Sequence, residues 1–223
     1  MLTILLLVLL VALVYGTSTV ITRVNDLDEG PTGKKYIALT FDDGPHQILT
    51  PKLLDIAKAK GAKFTFFVMG IKVDMHPDIV KRALEEGHEI ANHAWDHPIL
   101  TKLSLDDVSN QLRRTNKALQ HATSSSSSSN GTTPTTMRPP YGNTNKRLNR
   151  FINTNENLTV VLWSYDTNDW KRPSPKAIAD GIASRVVSSG TSSSSTSSSL
   201  SLSSSTTSSS LSSSPSSSSL TLR

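Results

Sequence analysis

The feature that most constrains this chain is an alternation. Short apolar runs rich in β-branched and aromatic residues, at 36–41, 64–68, 89–92 and 160–164, are separated by segments of helical periodicity at 50–60, 77–86, 105–120, 145–153 and 175–187. Strands that alternate with helices of this length pair in parallel, because the helix carries the chain back to the start of the next strand. The expected class is α/β, a parallel sheet or barrel with its sites at the C-terminal ends of the strands.

The polar clusters of the chain fall at those ends. The run Tyr36-Ile37-Ala38-Leu39 leads into Asp42-Asp43-Gly44-Pro45-His46. Neighbouring residues on a regular strand point to opposite faces, so bringing both carboxylates into one cleft needs a turn of the backbone, which Gly44 and Pro45 allow. An Asx-turn or a helix cap accounts for the same pair without any chemistry. About fifty residues on lies Gly87-His88-Glu89-Ile90-Ala91-Asn92-His93-Ala94-Trp95-Asp96-His97, in which His93 and His97 stand four apart. That spacing predicts one face of a helical turn. Asp43, His93 and His97 together make three nitrogen and oxygen ligands for a divalent ion, zinc above others, with a position left open as in catalytic sites. Packing beside Trp95 is the alternative for the two imidazoles.

Two further clusters, Met137-Arg138-Pro139-Pro140-Tyr141-Gly142 and Trp163-Ser164-Tyr165-Asp166-Thr167-Asn168-Asp169-Trp170, complete a series of four. In this order the four segments resemble the polysaccharide deacetylases of carbohydrate esterase family 4, the NodB-homology domain of chitin, peptidoglycan and chito-oligosaccharide deacetylases. The resemblance runs over about 35–190. It implies an irregular (β/α) barrel, with Asp42 as general base and Asp43, His93 and His97 as metal ligands. Arg138 would orient Asp42, and Tyr141 would lend its backbone N–H to an oxyanion hole. Asp169 would tune a catalytic acid His, and Trp170 and Pro140 would wall the acetyl pocket. Read without the resemblance, Arg138 is a surface salt bridge and Trp170 a core aromatic.

One departure stands against these matches. The family's last motif is a buried strand ending in Leu-x-His, whose His protonates the departing amine, and this chain has no His after His121. From Thr191 an almost pure Ser/Thr tract runs to Arg223. The barrel is therefore expected to be incomplete at its C-terminal end, with the edge at 160–164 left bare. The tract reads as a disordered stalk of the mucin type, a linker, or a gene-model artefact.

The expected organisation is a signal peptide or anchor over 1–16, a linker over 17–34, the deacetylase domain over 35–190 with a Ser-rich disordered loop insert at 122–136, and the tail at 191–223. Leu2 to Val14 is too short for a comfortable membrane span and suits a signal-peptide core, with anchoring by residues 2–15 as the alternative. The chain has no cysteine, so a secreted product would stand on its core and its metal. The formal charge of +5 comes from basic residues scattered along the helices without a run, which points away from nucleic acid.

The expected function is metal-dependent removal of acetyl from N-acetylglucosamine units of a chitin-like or peptidoglycan-like polymer, impaired by the missing acid, in a secreted or cell-wall-associated monomer. The alternatives are an inactive carbohydrate-binding protein of the cell wall and an acetyl-xylan-type esterase on the same scaffold. An ester's leaving group needs less help from an acid than an amine does.

Overall fold

The computed structural model describes residues 20–21, 37–124, 131–188 and 221–222. Within them β1 (Val20–Ile21), β2 (Thr40–Gly44), β3 (Thr65–Val68), β4 (Glu89–Asn92), β5 (Thr136–Met137), β6 (Thr159–Val161) and β7 (Thr221–Leu222) form one sheet in the order β1-β6-β5-β4-β3-β2-β7. Strands β2 to β6 pair in parallel, each beside its sequence neighbour. The α/β class and the parallel sheet thus stand as expected. The end strands β1 and β7 are not paired to each other, so the described sheet is open there. The expectation of a bare edge at β6 is corrected: β1 pairs with it in parallel, matching Val20 to Val160 and Ile21 to Val161. Thr221–Leu222 runs antiparallel to β2 at the opposite edge.

Six α-helices connect these strands: α1 (Leu49–Lys60), α2 (Gly70–Met75), α3 (Pro77–Glu85), α4 (Leu105–Thr123), α5 (Lys146–Asn155) and α6 (Pro175–Ser188). Each boundary has a local cause. The side chain of His46 caps the start of α1, its Nδ1 accepting from the N–H groups of Ile48 and Leu49, and Gly61 ends that helix at φ 63°. Ser104 caps α4 by accepting from the Asp107 N–H at 3.1 Å, with Asp106 and Asp107 placed against the positive end of the helix dipole. Asn145 does the same for α5 through the Leu148 N–H.

The core has two parts joined by α4. Beneath β2–β4 lie Phe41, Leu54, Phe64, Phe66, Val80 and Ile90, with the three phenylalanine rings 5.1 to 6.3 Å apart. Beside β5 and β6 lie Leu100, Val108, Leu112, Met137, Ile152 and Val160. Helix α4 feeds Ala118 and Leu119 into the first part and Val108 and Leu112 into the second, as its period of 3.6 allows. His88 belongs to the first part. Burial, with the charge of Lys63 beside it, pushes its imidazole below the ordinary range, and the neutral ring accepts the Phe64 N–H on Nδ1 at 3.1 Å.

Core burial ends at Val160. From Val161 to Arg185 no residue is buried, although α6 forms there. Both ends of the Ser-rich insert are held rather than loose. Helix α4 continues to Thr123, whose Oγ1 accepts the Thr132 N–H at 2.7 Å, and Gln120 reaches Thr133. Residues 125–130 of the expected loop lie outside the described residues, as do the expected signal peptide, nearly all of the linker and nearly all of the tail. No helix among the described residues is long and apolar enough to cross a membrane.

Candidate metal centre and active site

The two acids of β2 are parted by the strand itself. Asp42 pairs with Phe67 of β3 and Gly44 with Val68, so Asp43 is an extra residue, a bulge held at φ 63°. The turn expected at Gly44-Pro45 is therefore made one residue earlier, by Asp43's own left-handed backbone. Lys72 of α2 donates to the Asp43 carbonyl oxygen at 2.7 Å and fixes that conformation from behind.

Asp42 points inward and is buried, as is Arg138. Arg138 Nη1 donates to Asp42 Oδ1 at 2.6 Å and to Thr40 Oγ1 at 2.8 Å. Its Nε and Nη2 donate to the carbonyl oxygens of Val161 and Leu162. The guanidinium lies 4.0 Å from the Phe67 ring centroid and 5.6 Å from that of Trp163. This excludes the surface-salt-bridge reading: one buried cation ties β2 to β6, and a buried pair holds only when its hydrogen bonds are filled in this way.

His93 follows β4 directly, and its Nδ1 lies 2.6 Å from the Arg138 carbonyl oxygen. A carbonyl only accepts, so Nδ1 carries the proton and Nε2 presents its lone pair to the cleft. Nε2 of His93 stands 3.3 Å, and Nε2 of His97 3.1 Å, from Asp43 Oδ1. The three ligand atoms lie within 4.8 Å of one another. A carboxylate oxygen and two imidazole nitrogens converging this closely fit a divalent ion of the zinc type. Burial by itself raises the Asp43 carboxyl. Where the His93 and His97 rings carry a second proton, on Nε2, their hydrogen bonds and charge outweigh that and hold the carboxyl well below the ordinary carboxylate range.

The helical turn predicted for His93 and His97 is not present. Residues 93–98 form a loop with Ala94 at φ 63° and His97 at φ 66°, and the loop brings the rings to 5.1 Å. Side chains from β4 and α4 hold this loop, and the sequence reading missed them. Asn92 Oδ1 accepts the Ala94 N–H at 2.8 Å while its Nδ2 donates to Leu112 O and Asn116 Oδ1. Gln111 Oε1 accepts the N–H groups of Trp95 and Asp96, and Gln111 Nε2 donates to Asp96 Oδ1. The signal available was a pair of amides, Gln111 and Asn116, flanking the buried stripe of α4.

Tyr141 stands at φ 62° with its ring centroid 4.5 Å from that of His97, edge to face, and Pro140 is buried beside it. The turn closes through the Gly142 N–H to Pro139 O and the Asn143 N–H to Pro140 O. Gly142 must be glycine: at φ +63° any Cβ would lie 2.4 Å from Trp163. Asp169 and Trp170 sit on a single turn, Asp169–Lys171, beyond β6. Trp170 is half exposed, which removes the core reading, and its ring partner among the described residues is Lys171. Of the two tryptophans in this cluster, Trp163 is the one whose ring lies near Arg138.

A family model described as polysaccharide deacetylase matches residues 29–160. The chain belongs to the polysaccharide deacetylase family. Over 149 residues it is 47% identical to the peptidoglycan-N-acetylglucosamine deacetylase PgdA of Listeria monocytogenes, a match covering 67% of this chain and 29% of that protein. The chain thus spans less than a third of that relative. It is 35% identical to a chitooligosaccharide deacetylase of Sinorhizobium fredii, covering 70% of this chain and 69% of the relative. The structure of the peptidoglycan deacetylase PdaC from Bacillus subtilis superimposes with a TM-score of 0.61 at 38% identity, covering 68% of this chain and 69% of that one. Membership in this family carries the α/β deacetylase scaffold with it.

Proposed function

We propose that this chain is a metal-dependent deacetylase acting on N-acetylglucosamine units of a peptidoglycan-like or chitin-like polymer. The observation that carries this reading is the placement of two neighbouring acids in two different jobs: Asp43 among the imidazoles of His93 and His97, and Asp42 clamped by Arg138 beside them. Asp43, His93 and His97 are the residues that would hold zinc. When bound, the ion supplies a Lewis acid that polarises the acetamide carbonyl and acidifies water.

The chain's own groups do the rest. Arg138 fixes Asp42 Oδ1 and leaves Oδ2 turned to the triad, 4.0 Å from His93 Nε2, where Asp42 serves as general base for the attacking water. Negative charge on the former carbonyl oxygen meets the Tyr141 backbone N–H at the left-handed turn. Pro140 and the aromatic rings of Trp163 and Trp170 bound the acetyl side. The departing nitrogen needs a proton, and no histidine follows His121 to deliver it, so amine departure is the slow step in this chain.

That missing acid favours a second reading, a protein that keeps the metal and binds glycan without turnover. It also favours ester over amide substrates, as in an acetyl-xylan-type esterase. Secretion or attachment at the cell surface is proposed on the apolar run of residues 2–14, and a monomer free of nucleic acid on the scattered charge. Acetate release from N-acetyl-chito-oligomers and from an aryl acetate ester, measured with zinc added, tests these readings. The deacetylase reading expects slow amide and faster ester turnover. Glycan binding without acetate release from either substrate would replace it with the non-catalytic one.

A further inference from the structure

Outside the triad, one groove combines a cavity with concentrated charge. It has a volume of about 410 Å³ and runs along α5, lined by Lys146, Arg147, Arg150, Phe151 and Thr154, with Leu105 of α4 opposite. The α5 contributors fall in pairs four residues apart, so they form one stripe down the helix. All three cations are exposed, and none of them forms an ion pair among the described residues. No carboxylate lines the groove. The nearest acids in sequence are Asp106 and Asp107 in the first turn of α4, where Asp107 is engaged with Ser104, and Glu156 after α5, which is paired with Arg113.

The placement of these charges costs stability. Lys146 and Arg147 occupy the first turn of α5, and that turn holds no acid, so both cations oppose the positive end of the helix dipole. A cluster that works against its own helix and has no internal partner is arranged for an external anion. The groove's residues also follow the active-site loops closely along the chain. Lys146 follows Tyr141 by five residues, which bounds their separation at about 18 Å. Leu105 follows the loop of His97, and Thr101 Oγ1 donates to Asn143 Oδ1 at 2.9 Å, tying the two loops together between the cleft and the groove.

We propose that this groove is an anion-binding subsite that receives carboxylates of the polymer whose acetyl group enters the cleft, with Phe151 packing against the apolar face of a sugar ring. It thereby favours a carboxylate-bearing glycan over a neutral one. The proposal rests on the deacetylase reading only in taking the bound polymer to be the substrate.

The test measures binding of a fluorescent polyuronate oligomer to the full chain, with and without zinc. It compares a triple variant (Lys146→Gln, Arg147→Gln, Arg150→Gln) with a charge-keeping one (Lys146→Arg, Arg147→Lys, Arg150→Lys). Neutralisation is expected to weaken binding by about tenfold or more and to flatten its salt dependence, because three charge contacts are lost. The charge-keeping variant should bind within about threefold of the parent, as an exposed electrostatic site allows. Turnover of neutral chito-oligomers should be the same in all three proteins. Equal polyuronate binding by parent and neutralised variant would overturn the groove. Tighter binding of inorganic polyphosphate, lost in the neutralised variant, would overturn the assignment to a carboxylate. Polyuronate binding by a chain that releases no acetate from N-acetyl-chito-oligomers or from an aryl acetate ester would leave the groove standing and overturn the deacetylase reading instead.

Discussion

The part of the chain from β2 to β6 and the part beyond β6 are both dense in polar and aromatic motif residues, but the structure treats them differently. In the first, Asp42, His93 and Arg138 are almost wholly buried, and Arg138 joins them, donating to Asp42 and Thr40 of β2 and to Val161 of β6 while its own carbonyl meets His93 Nδ1. In the second, every residue from Val161 to Arg185 keeps some exposure, and Asp169 and Trp170 rest on a single turn. The same kind of motif is thus sealed in the core in one place and set at the surface in the other. Position depends on the second layer of packing, and around Asp42, His93 and Arg138 that layer is closed to solvent.

The largest expected effect tests the division of labour within the first region. Asp42→Asn keeps an oxygen for Arg138 and leaves the triad untouched, so any acetate release should fall by a factor on the order of 10² to 10⁴ with metal retained. Loss of metal with chemistry intact would exchange the roles of Asp42 and Asp43.

Next comes the contrast in packing. Leu54→Ala opens a cavity in the sealed core beneath β2–β4 and should cost about 2–5 kcal/mol. Ile182→Ala, on the half-covered face of α6, should cost less than about 1 kcal/mol by denaturant titration. Equal costs would mean that the region beyond β6 is packed as tightly as the rest.

The smallest effect sharpens the claim about the second layer. Gln111→Ala removes the amide that holds the Trp95 and Asp96 backbone and should weaken zinc binding by about 10- to 100-fold. The fold should remain intact, and Gln111→Glu should restore part of the affinity, since its carboxylate still accepts both N–H groups. Unchanged affinity in Gln111→Ala would show that Asn92 holds the loop alone.

Much of this site was legible in the sequence because its chemistry is carried by rare residue types. Two adjacent aspartates, two histidines and an arginine before two prolines mark the strand ends, whatever the backbone does. What escaped was geometry set by tertiary contacts. The four-residue spacing of His93 and His97 reads as a helical turn, but the left-handed backbone at Ala94 and His97, with Asn92 and Gln111 holding the residues between, makes a loop instead. The bulge at Asp43 leaves no mark in composition. Strand β5 is two residues long, too short for any periodicity, and α2 opens on Gly70, a poor helix former. Gly70 is there for packing, since a Cβ would lie 2.4 Å from the Trp95 ring.

The central claim is that Asp43, His93 and His97 hold one divalent ion while Asp42, one residue away, holds none. Zinc titration of the parent, Asp43→Ala and Asp42→Asn proteins by calorimetry, with metal content read by mass spectrometry, tests it directly. The account predicts one tightly bound ion per chain in the parent and in Asp42→Asn, and none in Asp43→Ala. A parent chain without affinity for zinc or any other divalent transition metal, or an Asp43→Ala chain that still binds its ion tightly, would contradict it.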